Sequence, residues 1–151
     1  MRITSDPDYD GEDLLRAVEV DPNYADAYAN RGIVFRKFDE LDQALADYAK
    51  AIELNPDNAI IYYNRALVYH NSGNLAQAIA DYTKTIELDP QNTSAYHNRG
   101  NAYQESGKVE QALADYAKTI ELAPRYASAY YNRGLLYHNS DNLEQALADY
   151  S

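Results

Sequence analysis

Cysteine and tryptophan are absent from this chain, methionine occurs once, and two phenylalanines stand against sixteen tyrosines. Without cysteine there is no disulfide, no thiolate-held metal and no cysteine nucleophile. Basic residues are scarce: 13 Lys and Arg against 24 Asp and Glu leave a formal net charge of −11. Nucleic acid and anionic membranes both reward Lys and Arg, so neither is expected as the main ligand. The acidic balance fits a solubilising surface, with a face that recruits a basic partner as the alternative. No run approaches the roughly 18 apolar residues of a membrane span. The opening residues MRITSDPD lack the apolar stretch of a secretory signal. A cytoplasmic location is the expectation.

What the chain does have is rhythm. Pro22, Pro56, Pro90 and Pro124 follow one another at intervals of 34 residues. Everything else falls into that register: Ala25 to Asn58, Ala59 to Asn92 and Thr93 to Tyr126 are copies of one unit, and Ala127 to Ser151 is a shortened fourth. A fixed period of this length signals a stacked array in which each unit buries its apolar face against its neighbours. Residues 11–24 match the end of a preceding unit, since Ala17 and Val18 fall where Ala51 and Ile52 fall later. The expected organisation is thus one array over residues 11–151, opening on a half repeat, with residues 1–10 disordered.

Within a unit the apolar spacing is helical twice over. Tyr62, Ala66 and Tyr69 form one stripe; Leu75, Ala78, Ile79, Tyr82, Ile86 and Leu88 form another. Ser72-Gly73-Asn74 interrupts them, with Gly73 suited to the left-handed turn that ends a helix. Asp89-Pro90 closes the second helix, because the residue before proline is pushed out of helical geometry. Each unit is therefore predicted to be a pair of antiparallel helices. Small residues (Gly32, Ala66, Gly100, Gly134) face alanines (Ala44, Ala78, Ala112, Ala146), allowing close approach, while Tyr48, Tyr82, Tyr116 and Tyr150 fill the flanks. The tyrosines are assigned to this packing and not to a base-stacking platform, since they recur in every unit beside small residues.

An aromatic, a small residue, an aromatic, an alanine, an aromatic and a closing proline at these offsets resemble the tetratricopeptide repeat, over nearly the whole chain. The resemblance implies an all-α, right-handed superhelical solenoid of antiparallel helix pairs that serves as a protein-interaction scaffold. One departure stands out. Where that family usually has leucine, this chain has Arg31, Arg65, Arg99 and Arg133, and Asp47, Asp81, Asp115 and Asp149 precede the second-helix tyrosines. A bidentate bridge within each unit is expected.

The resemblance also implies that first helices line a concave groove. On that face Asn30, Asn64, Asn98 and Asn132 recur unchanged, similar to the asparagine ladder of the repeats attached to a protein O-glycosyltransferase. Such amides can pair with a peptide backbone whatever its side chains, or each can simply bond a neighbouring helix; both readings are open. Beside the row lie Ala29, Tyr63, His97 and Tyr131, then Ile33, Leu67, Asn101 and Leu135, then Arg36, His70, Gln104 and His138, which vary between units. Tyr63, Tyr131, Leu67 and Leu135 would offer apolar anchors to an extended protein or peptide segment, and Arg36 with Lys37 a positive spot. The family's clamp for the carboxylate ends of chaperones needs basic residues where this chain has Ala29, Tyr63, His97 and Tyr131, or Asp26, Ile60, Ser94 and Ser128, so it is not assembled.

No chemistry of catalysis is recognisable, and neither cofactor nor metal is implied. His70 and His138 are two units apart, His97 sits between, and solvated or ligand-facing imidazoles are expected. Gly32, Gly100 and Gly134 lie mid-helix and form no phosphate loop. Two alternatives to the scaffold are a module that assembles with its own copies through Leu143, Ala146, Leu147 and Tyr150 of the shortened unit, and the targeting arm of a larger enzyme.

Overall fold

The computed structural model describes residues 11–151. The expectation placed on residues 1–10 lies outside the described residues. Within them nine helices run in order: α1 (Gly11–Val20), α2 (Ala25–Lys37), α3 (Leu41–Leu54), α4 (Ala59–Asn71), α5 (Leu75–Leu88), α6 (Thr93–Glu105), α7 (Val109–Leu122), α8 (Ala127–Asn139) and α9 (Leu143–Tyr150). The even-numbered helices are the first helices of the four units. Each packs on the second helix of its own unit, and each of α3, α5 and α7 packs on the first helix of the next. The array is a solenoid of helix pairs.

The turn inside each unit needs one residue in the left-handed region. Gly73 (φ 74°) and Gly107 (φ 71°) supply it without a Cβ penalty, while Asp39 (φ 61°) and Asp141 (φ 57°) hold it in the outer units. In all four, the residue that follows returns its N–H to the first helix, as from Asn74 to the Tyr69 carbonyl at 2.8 Å. At the other end, Asn55, Asp89 and Ala123 are extended (φ −142°, −135° and −138°) because each precedes a proline. Asn58 and Asn92 then cap the next first helix, their side chains accepting from Ile60 N–H and Ala95 N–H at 3.0 Å. Tyr126, at the same place before α8, makes no such bond.

The closest approach of the two helices in a unit is a ring over a small residue. A Cβ on Gly32 would lie 2.8 Å from the Tyr48 ring, and one on Gly100 2.8 Å from the Tyr116 ring. Glycine mid-helix costs roughly 1 kcal/mol against alanine, and the close packing of the ring offsets it. Unit 2 carries a methyl there, Ala66, and buries both it and Tyr82 completely. Tyr48, Tyr82 and Tyr116 are fully enclosed because the next first helix covers them; Tyr150 of α9 is 47% exposed. The core is thereby shared between units, Tyr48 and Ala51 of α3 clustering with Ile61 and Val68 of α4.

All four arginine–aspartate bridges form, each with two parallel hydrogen bonds. Arg31 Nε and Nη2 donate to Asp47 at 2.7 Å, and Arg65 to Asp81 at 2.7 and 2.8 Å. Arg99 donates to Asp115 at 2.8 Å twice, and Arg133 to Asp149 at 2.8 and 2.5 Å. Asp47, Asp81 and Asp115 are buried. Each guanidinium also lies near aromatic rings of its own helix, Arg65 at 5.8 Å from both Tyr62 and Tyr69. One arginine reaches further: Arg99 Nη1 donates to Thr83 of unit 2 at 3.0 Å. The places that match Thr83 before Arg65 and Arg133 hold Ala49 and Ala117, which have no hydroxyl.

Arg65→Leu with Asp81 retained is expected to destabilise by about 3 kcal/mol, the lower end for removing one partner of a buried pair. Arg65→Leu combined with Asp81→Leu is expected to recover most of that loss. Urea denaturation of the two variants checks this; equal stability of Arg65→Leu and the parent chain would show that the bridge contributes nothing.

Candidate functional site on the first helices

The asparagine row divides into two halves by its hydrogen bonding. Asn98 Nδ2 donates to the Tyr63 hydroxyl at 2.9 Å. Asn132 Nδ2 donates to Asn101 Oδ1 at 2.9 Å and lies 3.3 Å from His97 Nε2. Tyr63 and His97 occupy the same place in successive units, so each of these amides ties its first helix to the one before. Unit 1 has Ala29 there, which offers nothing, and Asn64 turns to its own helix, donating to the Ile60 carbonyl at 3.0 Å. Asn30 is exposed. Asn98 and Asn132 thus bond across units, while Asn30 and Asn64 make no such bond among the described residues.

A second polar row lies at the end of the first helices and reaches through to the second ones. The buried tyrosines point their hydroxyls at it. His70 Nδ1 is 3.3 Å from the Tyr82 hydroxyl, and its Nε2 is 3.1 Å from Glu105 of the next unit. An imidazole protonated on Nε2 donates to Glu105 and accepts from Tyr82. In unit 3 the Tyr116 hydroxyl lies 2.6 Å from Gln104 Oε1 and 2.8 Å from Asn101 Oδ1. Burial is the main cause that raises the pKa of both Tyr82 and Tyr116, so each stays protonated. In unit 1 Arg36 stands at this place, and its guanidinium acts on the Tyr48 hydroxyl, opposing the larger effect of burial that raises the tyrosine pKa. His138 is exposed.

The apolar members of the face are unequal. Ile33, Leu67 and Leu135 are half-buried, and Tyr63 is half-buried with its ring 6.0 Å from Tyr82. Tyr131 is 58% exposed, its ring 6.2 Å from Tyr150. Ile60, not among the expected anchors, is 65% exposed. His97 differs from its expectation as a solvated or ligand-facing group. It is 9% exposed, with Tyr126 at 4.9 Å and Tyr116 at 5.9 Å between ring centres. Tyr126 replaces a capping asparagine and packs over the imidazole instead, which closes that part of the face.

Between units 3 and 4 an open recess of about 210 Å³ is lined by Asn101, Gln104, Glu105 and Asn132. Sequence reasoning missed Glu105 as a member of the site. The signal was available in the repeat register: it occupies the place held by Lys37, Asn71 and Asn139 and is the one acid among them. No helix among the described residues is long and apolar enough to cross a membrane.

Compared with known proteins, the chain matches a family model described as TPR repeat over residues 34–73, 68–107 and 100–141. A second model, described as tetratricopeptide repeat, matches over 14–46. Among solved structures it is similar to MamA, with a TM-score of 0.88 at 22% identity over 92% of this chain and 81% of that one. At that identity the likeness is one of fold. The Arabidopsis OM64 TPR domain is similar at a TM-score of 0.71 and 30% identity, over 74% of this chain and 93% of that one. So is the first TPR of Spaghetti (RPAP3) bound to the HSP90 peptide SRMEEVD, at 0.70 and 29%, over 82% and 93%. A comparison with curated protein sequences finds no match.

Burial lowers the His97 pKa below 6.5, against a smaller raising effect of the Asn98 hydrogen bond. The folded chain therefore takes up this proton less readily than the unfolded one. The stability associated with neutral His97 is complete above about pH 6.5 and declines as pH falls toward the folded value. Urea denaturation at about pH 7.5 and about pH 5.5 should show a larger loss in the parent chain than in His97→Gln. Equal losses would mean that His97 does not contribute.

Proposed function

Because the chain belongs to the tetratricopeptide repeat family of protein-interaction modules, we propose that it holds an extended segment of a partner protein along its first helices. The observation that carries this reading is a variable face on an unvarying frame. The bridges and ring contacts repeat in every unit, while Ala29, Tyr63, His97 and Tyr131 and the residues beside them change. Recognition surfaces differ where their ligand differs along its length, and a solenoid offers such a surface without disturbing its core. Exposed Ile60 and Tyr131 with half-buried Leu67 and Leu135 supply apolar anchors. Asn30 and Asn64 supply amides that serve no neighbouring unit. They, and not Asn98 or Asn132, are the rungs that would meet a peptide backbone. The chaperone carboxylate clamp is not part of the reading, since its basic places are otherwise filled.

Asn30→Ala with Asn64→Ala is expected to weaken capture of peptides selected on the parent chain by about tenfold, which two backbone hydrogen bonds of about 0.7 kcal/mol each would give. The circular dichroism spectrum should not change. Unchanged peptide affinity in that variant would remove the backbone-pairing mechanism.

A second reading, self-assembly, is favoured by one observation. Leu143, Leu147 and Tyr150 of α9 are 55%, 67% and 47% exposed, where the matching tyrosines of α3, α5 and α7 are fully covered by a first helix. If a second copy covers this face, the 151-residue chain should show a mass above the monomer in light scattering that rises with concentration. Leu143→Glu with Leu147→Glu should abolish that rise. A constant monomer mass for the parent chain would dismiss assembly.

A further inference from the structure

The recess between units 3 and 4 differs in chemistry from the rest of the face. Its lining is three amide residues and one carboxylate residue, with no apolar residue and no basic one. Glu105 is the acid, and its side chain is 55% exposed. Its Oε1 is fixed by His70 Nε2 at 3.1 Å, and His70 is in turn braced by the buried Tyr82 hydroxyl at 3.3 Å. The carboxylate is thus met from the neighbouring unit by a short chain of contacts that ends in the core. No lysine or arginine forms an ion pair with it among the described residues.

The amides around it are also fixed, and their fixing decides what they can offer. Asn132 uses its N–H₂ on Asn101 Oδ1 at 2.9 Å, which turns its own carbonyl oxygen the other way. Asn101 Oδ1 is held by Asn132 and lies 2.8 Å from the Tyr116 hydroxyl. Neither Asn132 Oδ1 nor Glu105 Oε2 has a hydrogen-bond donor among the described residues. The recess therefore presents carbonyl and carboxylate acceptors around one negative charge, beside the N–H₂ groups of Asn101 and Gln104, and a positively charged group with several N–H donors meets that charge and those acceptors. We propose that the recess receives the cationic side chain, lysine ammonium or arginine guanidinium, of the segment held on the first helices. The inference rests on the groove reading and names the chemistry of one residue of the partner. Glu105 supplies the charge, Asn132 and Gln104 supply carbonyl oxygens, and His70 is a positioning residue that acts through Glu105.

Two experiments on the full chain separate this inference from the reading beneath it. The first follows the side-chain amide signals of Asn101, Gln104 and Asn132 by NMR. The probes are N-acetyl-lysine methylamide, N-acetyl-arginine methylamide and the neutral N-acetyl-norleucine methylamide. Saturable shifts are expected with the two cationic probes, with binding about tenfold weaker for norleucine and about tenfold weaker for all cationic probes in Glu105→Gln. Glu105 is exposed, so that variant should keep its helicity. Equal binding of norleucine, cationic binding that survives in Glu105→Gln, or no shift at all would overturn the inference. The second is selection of displayed random peptides on the parent chain. Enrichment of Lys or Arg at one fixed position, lost on Glu105→Gln, supports it. Enriched peptides without a fixed basic residue overturn the recess assignment and leave the groove reading standing. Failure to enrich any peptide overturns the groove reading and, with it, the inference that rests on it.

Discussion

A tyrosine ring lying on a residue with almost no side chain is the contact on which this protein depends. Tyr48 on Gly32, Tyr82 on Ala66 and Tyr116 on Gly100 set how closely the two helices of a unit approach. That distance allows an arginine of the first helix to grip an aspartate of the second with two short bonds. It also places the tyrosine hydroxyl at the far side of the first helix, where His70 and Gln104 meet it. Frame and first-helix face are joined through one ring. A bulkier residue at the small position would separate the helices, lengthen the bridge and withdraw the hydroxyl together.

The bridge is worth comparing with the apolar alternative. A buried ion pair gains little over well-packed hydrophobic residues, but it penalises any arrangement that leaves one partner alone. In an array of near-identical units the hazard is slippage, since each helix could pair with the wrong neighbour at small loss of apolar contact. A guanidinium fork that fits one carboxylate, flanked by rings at fixed places on its own helix, distinguishes the correct pairing from the shifted one. The bond from Arg99 to Thr83 extends that specification across a unit boundary at one place only among the described residues.

The period, the helix pairs and the bridges were legible because each repeats. A charge that recurs at a position facing the core, sixteen residues before an opposite one, has few explanations besides a bridge. The left-handed turn was legible at Gly73 but not at Asp39, which adopts the same geometry as one of the few non-glycine residue types that visit it. What was not legible depends on residues that do not repeat. Burial of His97 follows from Tyr126, which stands where other units have a capping asparagine. The division of the asparagine row follows from Ala29 standing where Tyr63 and His97 stand later. Four copies of one residue thus came to do two different things, and periodicity alone cannot separate them. The composition of the first-helix face was readable; which of its members are open was not.

The claim that matters most is that the first helices, and not the outer surface, meet the partner. Side-chain amide signals report on it directly, since Asn30 and Asn64 lie on the first helices and exposed Gln43, Gln77 and Gln111 lie on the second ones. A peptide selected on the chain should, on titration, move the two asparagine signals and leave the three glutamine signals in place. Movement of the glutamine signals with the asparagine signals unchanged would contradict the account and put the binding surface on the second helices.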